Sequence, residues 1–242
     1  MLTSIRFKIT FTDKGTTASA IRNVPASMPA AMVLMVLRLA PYSGTIVLHV
    51  GAGSMSQEIE KAAQELFIKG LVPVAEKRQL LVIDGGTESG GMRAMGNARR
   101  GSGSTFPLLG ICPQGPITFS GKAFTDGLSV ELNASHSHFV FVEGDNFGDE
   151  SDLIVDTLHG SGKPGVVMVV GGGNIVHKEV VLHAQKGNSL IVVRNSGGTA
   201  DKLLDPEDDI HNELPEKTHL DVVDLDDPQK LSELLEKLLV SG

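Results

Sequence analysis

Four times along this chain, a short apolar run is followed by a glycine-rich turn and then by a helical pattern. The clearest case is residues 80–92, where Leu80-Leu81-Val82-Ile83 leads into a turn that contains two glycine pairs. Apolar runs this short favour buried parallel strands over helices. Parallel strands align their carboxyl ends along one edge, where ligands of open α/β sheets bind. The sequence therefore predicts an α/β fold, a three-layer α/β/α domain with a mainly parallel sheet.

The four turns are the candidate ligand-binding segments. A strand that runs through a glycine turn into a helix presents backbone N–H groups at the positive end of that helix, which favours an anion. The spacing Gly-Gly-x-x-x-Gly-Gly after Ile83 is neither a dinucleotide fingerprint nor a Walker loop, so a purely structural turn is the alternative there. Four such turns at one edge favour a crevice of main-chain amides that suits a diphosphate with ribose. The predicted ligand-binding residues of the turns are Gly51, Ala52, Gly53, Ser54, Gly85, Gly86, Thr87, Gly90, Gly91, Met92, Gly171, Gly172, Gly173, Asn174, Asn195, Ser196, Gly197 and Gly198.

Composition narrows the class of protein. The length of 242 residues suits one large domain, residues 1–242, and the net charge of −8 argues against nucleic acid as the main partner. The single cysteine, Cys112, excludes an internal disulfide and fits a reducing cytoplasm. The most apolar run, Pro29–Leu37, is too short to span a bilayer and predicts a buried core helix. We therefore expect a soluble cytoplasmic protein with no membrane contact.

The segments between the turns give a coarse element order. One strand is predicted in the first 27 residues, at 5–11, and a helix capped by Ser54 is predicted to run to about Arg78. Pro73 is expected to kink or divide that helix. Residues 114–135 have little periodicity and are interpreted as a long loop or a hairpin.

Five segments resemble, in the same order, the N-terminal region of melastatin-type TRP channels. Four are similar to the glycine turns of that region, and the most specific similarity is to its Asn-His-Ser-His-Phe segment. The five segments are His49–Ser54, Ile83–Met92, Asn133–Phe139, Val170–Asn174 and Asn195–Asp201. The resemblance is strongest over residues 45–204. It identifies the chain as a member of the SLOG superfamily, in the LSDAT branch, of the stand-alone prokaryotic type.

The resemblance implies a Rossmann-like, doubly wound domain that binds a small-molecule nucleotide and requires no cofactor. The implied ligand is ADP-ribose, another NAD-derived molecule or an AMP-like nucleotide. His136, Ser137 and His138 would shape its pocket. No metal site is expected, because these histidines lack a third ligand at a suitable position.

The chain also departs from the channels that bind ADP-ribose at this domain. Phe147, Ile154 and Gly198 occupy the positions where those channels carry an aromatic residue and two arginines. A diphosphate would then rely on backbone amides together with other cations of this chain. The candidates are Arg93, Arg99 and Arg194.

The enzyme branch of the superfamily carries Pro-Gly-Gly-x-Gly-Thr-x-x-Glu, in which the glutamate assists cleavage of an N-glycosidic bond. Residues 172–179 resemble it and keep Glu179 at the matching distance, but Ile175 and Val176 replace the second glycine and the threonine. Glu179 is interpreted as the catalytic carboxylate or as a solvated residue in the first turn of its helix, where the dipole favours it. His177 and His183, on the same predicted helix, are expected on the surface.

Three functions are therefore compared. The leading one is a nucleotide-binding or ligand-sensor domain that is not an enzyme. The second is a phosphoribohydrolase-like N-glycosidase that releases a base from a nucleotide with Glu179. The third is an assembly domain whose amphipathic helix at 228–240 packs against a second subunit. A homo-oligomer or an effector protein is the expected macromolecular partner.

Overall fold

The computed structural model describes residues 6–53, 55–119 and 129–240. Within these ranges the chain forms one nine-stranded sheet, one two-stranded sheet and helices on both faces of the larger sheet. The strands are β1 (Arg6–Phe11), β2 (Thr16–Val24), β3 (Thr45–Val50), β4 (Leu81–Asp84), β5 (Leu108–Pro113), β6 (Ile117–Thr118), β7 (Val130–Glu131), β8 (His138–Val142), β9 (Gly165–Val170), β10 (Leu190–Arg194) and β11 (Leu220–Asp224). The helices are α1 (Ala30–Leu37), α2 (Gln57–Leu66), α3 (Val72–Arg78), α4 (Gly90–Gly101), α5 (Ser151–Gly160), α6 (Asn174–Gln185), α7 (Gly198–Leu203), α8 (Asp209–Asn212) and α9 (Pro228–Val240).

The large sheet has the order β1-β2-β8-β5-β4-β3-β9-β10-β11. Every neighbouring pair is parallel except β1 and β2, which are antiparallel. The predicted Rossmann-like α/β fold with a mainly parallel doubly wound sheet is confirmed.

The order of the strands reverses at β3, which lies between β4 and β9. The chain goes from β3 through β4 and β5 towards one edge, and then returns on the other side of β3 as β9. Helices α2 and α4 pack on one face of the sheet, whereas α6 packs on the other. In open α/β sheets a crevice opens at such a switch point, beyond the carboxyl ends of the strands.

The core consists of two apolar layers, one on each face of the large sheet, with a smaller cluster beside β8. Successive side chains of a strand point to opposite faces. In β3, Ile46, Leu48 and Val50 therefore join one layer, and Val47 joins the other. His49 shares the face of Val47, so a titratable ring enters the layer that contains α5 and α6.

One strand near the edge of the sheet was missed, and the hairpin alternative for residues 114–135 is wrong. Residues 16–24 form β2, which the sequence analysis missed because its many small and polar residues give a weak apolar pattern. The 114–135 segment contains β6 and β7, which pair in parallel and so do not form a hairpin. The part of this segment at 120–128 lies outside the described residues.

The helix predicted to run to Arg78 is divided, as expected, near Pro73. A π-helical segment, Phe67–Leu71, joins α2 to α3, and Pro73 lies in the first turn of α3. Ser56 caps α2 by accepting a hydrogen bond from the Ile59 N–H, and the predicted cap, Ser54, lies outside the described residues. The predicted core helix is confirmed as α1. Across the described ranges, no helix combines the length and apolarity that a membrane crossing requires.

Candidate functional site

A cavity of about 690 Å³ lies at the carboxyl ends of β3, β4 and β9, at the switch point of the sheet. The turns after these three strands form much of its wall, and α5 and α6 add side chains from one face. The lining residues are Leu48, His49, Val50, Ala52, Gly53, Asp84, Gly85, Thr87, Ser89, Met92, Val130, Phe147, Glu150, Ile154, Gly173, Asn174, Ile175, Val176 and Glu179.

Part of the predicted binding set lines this cavity, and part lies outside its lining. The predicted residues in the lining are Ala52, Gly53, Gly85, Thr87, Met92, Gly173, Asn174 and Glu179. Those outside the lining are Gly51, Gly86, Gly90, Gly91, His136, Ser137, His138, Gly171, Gly172, Asn195, Ser196, Gly197 and Gly198. Ser54 lies outside the described residues. Ligand contact stays a prediction for all of them.

The first two turns are joined directly. The Gly51 carbonyl accepts a 2.8 Å hydrogen bond from the Gly91 N–H. Gly90 has a φ of +45°, and a Cβ there would overlap the carbonyl oxygens of Gly51 and Ala52. These glycines therefore allow two loops to approach closely enough to share one cavity.

The fourth turn, residues 195–198, lies behind the third. The Ser196 hydroxyl accepts a 2.8 Å hydrogen bond from the Gly171 N–H. The Thr199 N–H donates to the Gly172 carbonyl, and a Cβ on Gly198 would overlap that carbonyl oxygen. This turn therefore fixes the position of the third turn instead of forming the cavity wall.

Two helices start at the cavity without a capping side chain. Ser89 is the N-cap of α4 and Gly173 that of α6; both line the cavity, and neither helix has an acidic residue in its first turn. Helix α2 differs, because Ser56 caps it and Glu58 lies in its first turn. The first N–H groups of a helix need external acceptors and carry partial positive charge. At α4 the Gly91 N–H already donates to the Gly51 carbonyl, so it is the other N–H groups in the first turn of α4, together with those of α6, that can stabilise an anion.

Glu179 is buried, with 4% of its surface exposed, and it lies in the second turn of α6. The interpretation of Glu179 as a solvated first-turn residue is therefore wrong. Its Oε2 is 2.8 Å from His49 Nδ1, and its Oε1 accepts a 2.8 Å hydrogen bond from the Ser151 hydroxyl. Both oxygens are thus held by partners from two other elements, which fixes the carboxylate at the cavity wall.

His183 lies beneath this pair and is fully buried, which contradicts its predicted surface position. Its ring centroid is 5.0 Å from that of His49, and its Nδ1 is 2.9 Å from Asn188 Nδ2. Burial, followed by the nearby His49, lowers the pKa of His183 to about 2, so the ring is neutral at physiological pH. His177 is partly exposed and pairs with Glu213 at 2.9 Å.

Glu150 is another carboxyl group of the cavity, beside Glu179 and Asp84, and the sequence analysis missed it. It is 6% exposed, and its Oε2 accepts a 2.8 Å hydrogen bond from the Gly148 N–H. Burial raises the pKa of Glu150 to about 7, and the nearby Glu179 adds to this shift. The sequence signal was the acidic turn 143–150, which by itself predicts only solvated surface.

The histidine segment, residues 136–138, is connected to the cavity through His136, which contacts Asp84 in the cavity lining. His136 Nε2 is 2.8 Å from Asp84 Oδ1, and His136 Nδ1 is 3.1 Å from Asn133 Oδ1. Asn133 Nδ2 donates to Glu88 at 2.7 Å, so this chain of contacts reaches the second turn. Ser137 instead bonds the backbone of β5.

His138 lies in β8, and no contact joins it to the cavity among the described residues. Burial lowers its pKa to about 4. In the described ranges no three His, Cys, Asp or Glu side chains are placed to hold a metal ion.

The three arginines suggested for a diphosphate bind other groups of the chain. Arg93 forms two hydrogen bonds with Glu60, at 2.7 and 2.6 Å. Arg194 pairs with Asp224 in the same way, at 2.6 and 2.8 Å. Arg99 donates to two backbone carbonyls at 2.8 and 2.9 Å. Among the residues described at the cavity there is no lysine or arginine.

Comparison with known protein families identifies the family of this chain. The model of the family described as SLOG in TRPM, prokaryote, matches residues 43–233, which is most of the sequence. The chain belongs to this SLOG family. The match includes β3, β4 and β9 and every described residue of the cavity lining. The resemblance found in the sequence is therefore confirmed at the level of the family.

A solved structure supports the fold of this SLOG domain. The X-ray structure of TM1055, a structural genomics target, superposes with a TM-score of 0.57 and is 20% identical in sequence. The similarity covers 80% of this chain and 99% of that one. At this identity the likeness concerns the fold alone. No curated protein matches the chain.

Proposed function

We propose that this SLOG domain binds a phosphorylated ribosyl ligand, such as ADP-ribose or another NAD-derived nucleotide. The observation that carries the proposal is the pair of helix starts, at Ser89 and Gly173, that open on one cavity without side-chain caps. Their N–H groups would bind phosphate, since the described lining offers no lysine or arginine. Family membership supports the same class of ligand, because SLOG domains bind nucleotide-like molecules.

The rest of the cavity suits the non-phosphate part of such a ligand. Its volume of about 690 Å³ falls within the range of small-molecule sites. Phe147 and Ile175 are 40% and 38% exposed and both line the cavity, so they offer an apolar surface for a planar base. The carboxylate of Glu179 is an acceptor that suits the hydroxyls of ribose.

Binding is tested by calorimetry with ADP-ribose, NAD and AMP, and by thermal unfolding in their presence. A ligand at about 100 times its Kd should raise the free energy of unfolding by about 2.7 kcal/mol. The informative variant is Gly173→Val, because a Cβ at Gly173 meets no atom within 4 Å and its φ of −115° suits any residue. The added side chain should fill the phosphate end of the cavity and weaken binding at least tenfold, about 1.4 kcal/mol.

Gly101→Val is the matched control, since Gly101 is exposed and a Cβ there also meets no atom within 4 Å. It should bind like the unmodified protein. Absence of binding by all three nucleotides would refute the proposal, and equal weakening by both variants would refute the assigned position of the phosphate.

A second candidate function is hydrolysis of an N-glycosidic bond. The specific observation in its favour is Glu179, a buried carboxylate of the cavity that His49 and Ser151 hold in one orientation. Such a group can activate water beside ribose. Incubation with AMP, NAD and ADP-ribose, followed by chromatography, should detect free base, and Glu179→Gln should abolish its release. Glu143→Gln, at an exposed glutamate, should not. Release that persists in Glu179→Gln would exclude this role.

A further inference from the structure

We infer that Glu150 donates a proton to the leaving base when a nucleotide is hydrolysed in this cavity, while Glu179 accepts the proton of the attacking water. The inference rests on the hydrolase candidate described above. It adds a residue outside the segment that resembles the enzyme branch of the superfamily, because Glu150 precedes α5, whereas Glu179 belongs to α6.

The hydrogen bonds to the carboxyl group of Glu150 come from backbone N–H groups. Oε2 accepts from the Gly148 N–H, and the carboxyl group also receives a hydrogen bond from its own backbone N–H. In the described part of the chain, no other residue donates to Oε1. Because Glu150 lines the cavity, its carboxyl group can meet a bound molecule.

The two glutamates are held in one arrangement by adjacent residues. Ser151, which follows Glu150 directly, donates its hydroxyl hydrogen to Glu179 at 2.8 Å. Their environments differ, since side chains of two other elements hold the oxygens of Glu179, whereas Glu150 has only backbone N–H donors, its own and that of Gly148, and lies near the carboxylates of Glu179 and Asp149. Desolvation and these like charges raise the pKa of Glu150 to about 7, so a large share of the protein carries the proton at neutral pH. A carboxyl group that keeps its proton near neutral pH, beside another carboxylate, can act as a general acid.

The chemical step balances with these two groups and one water. The bond between ribose C1′ and the base nitrogen breaks, its electron pair goes to the nitrogen, and Glu150 gives its proton to that nitrogen. The water oxygen forms the new bond to C1′, and Glu179 takes the proton that the water loses. The products are the free base and ribose 5-phosphate, and exchange with solvent returns Glu179 and Glu150 to their starting protonation.

Two substrates with different leaving groups test the role of Glu150. AMP needs a proton on its leaving base, whereas 4-nitrophenyl ribofuranoside 5-phosphate releases a stable anion without one. Glu150→Gln should lower kcat for AMP at least about 100-fold and leave the nitrophenyl substrate little affected. Glu179→Gln should impair both substrates, and the exposed control Glu143→Gln neither. The AMP rate of the unmodified protein should fall as the pH rises through about 7, and this limb should vanish in Glu150→Gln.

The possible results distinguish the role of Glu150 as proton donor from the question of whether the protein hydrolyses nucleotides at all. If Glu150→Gln cleaves AMP normally, or loses both substrates equally while it still binds AMP, Glu150 is not the proton donor although hydrolysis stands. If the unmodified protein releases neither base nor nitrophenol, hydrolysis and the role of Glu150 are both refuted, and nucleotide binding remains as a separate result. Calorimetry with AMP confirms that the Glu150→Gln variant is folded.

Discussion

Replacement of Glu150 by glutamine should stabilise the protein at alkaline pH. Glu150 is 6% exposed, and ionisation places a charge in a desolvated position near Glu179. Glutamine has nearly the same shape as the protonated acid. Its side-chain oxygen can still accept the Gly148 N–H, which donates to Glu150 at 2.8 Å.

The size of this change in the free energy of unfolding follows from the pKa of Glu150, which rises from 4.5 to about 7 on folding. A raised carboxyl pKa means that the folded state binds the proton more tightly than the unfolded state. The resulting stability is complete below about pH 4.5 and is lost as the pH rises through about 7. Since one pKa unit corresponds to about 1.4 kcal/mol, the loss between about pH 5 and about pH 8 is about 2.5 kcal/mol.

Urea unfolding at these two pH values, followed by far-UV circular dichroism, measures the effect. The free energy of unfolding of Glu150→Gln, relative to the unmodified protein, should increase by about 2.5 kcal/mol between about pH 5 and about pH 8. The pH dependence that all other titratable groups contribute is the same in both proteins and therefore cancels in this difference. The exposed control Glu143→Gln should give a difference that does not depend on pH. The same pH profile for Glu150→Gln and the unmodified protein would refute the desolvated position of Glu150.

Further variants test the supports of the cavity. Gly86→Ala should lower the free energy of unfolding by about 1–3 kcal/mol, because Gly86 has a φ of +74° and a Cβ there would lie 2.8 Å from Gly110 Cα; Gly53→Ala, whose Cβ meets no atom within 4 Å, should cost much less in the same urea titration. Arg99→Ala should cost about 2–4 kcal/mol, since it removes the donors of two backbone carbonyls. Arg194→Ala removes a surface ion pair, so both its thermal unfolding and its affinity for nucleotide by calorimetry should stay nearly unchanged. Markedly weaker binding by Arg194→Ala would mean that Arg194 leaves Asp224 to bind phosphate.

Local patterns were sufficient for most of the fold. The apolar runs at β3, β4, β9 and β10 mark buried parallel strands, and the glycines after them mark the turns at one edge. Strand β2 was missed because its residues 16–24 gain their stability from pairing with β1 and β8, which are distant or weakly marked in the sequence. The parallel pairing of β6 with β7 is another long-range contact without a local pattern.

The candidate site was predictable in part. The turns at Ala52, Gly85 and Gly173 line the cavity, as a common edge of parallel strands requires. By contrast, the partners of the arginines were not predictable, because Arg194 pairs with Asp224 on a neighbouring strand. The charge pattern along the chain does not indicate which strand or helix will pack beside a given charged residue.

The sequence by itself determined the class of fold, the family and the edge of the sheet at which the cavity lies. These properties depend on residue types at short spacing, where apolar runs form strands and glycines permit tight turns. Only the tertiary structure decided that Glu179 is held by His49, that His183 is buried and that Glu150 shares the cavity. Burial and pairing of a titratable group depend on which elements pack together, and those elements lie far apart in the chain.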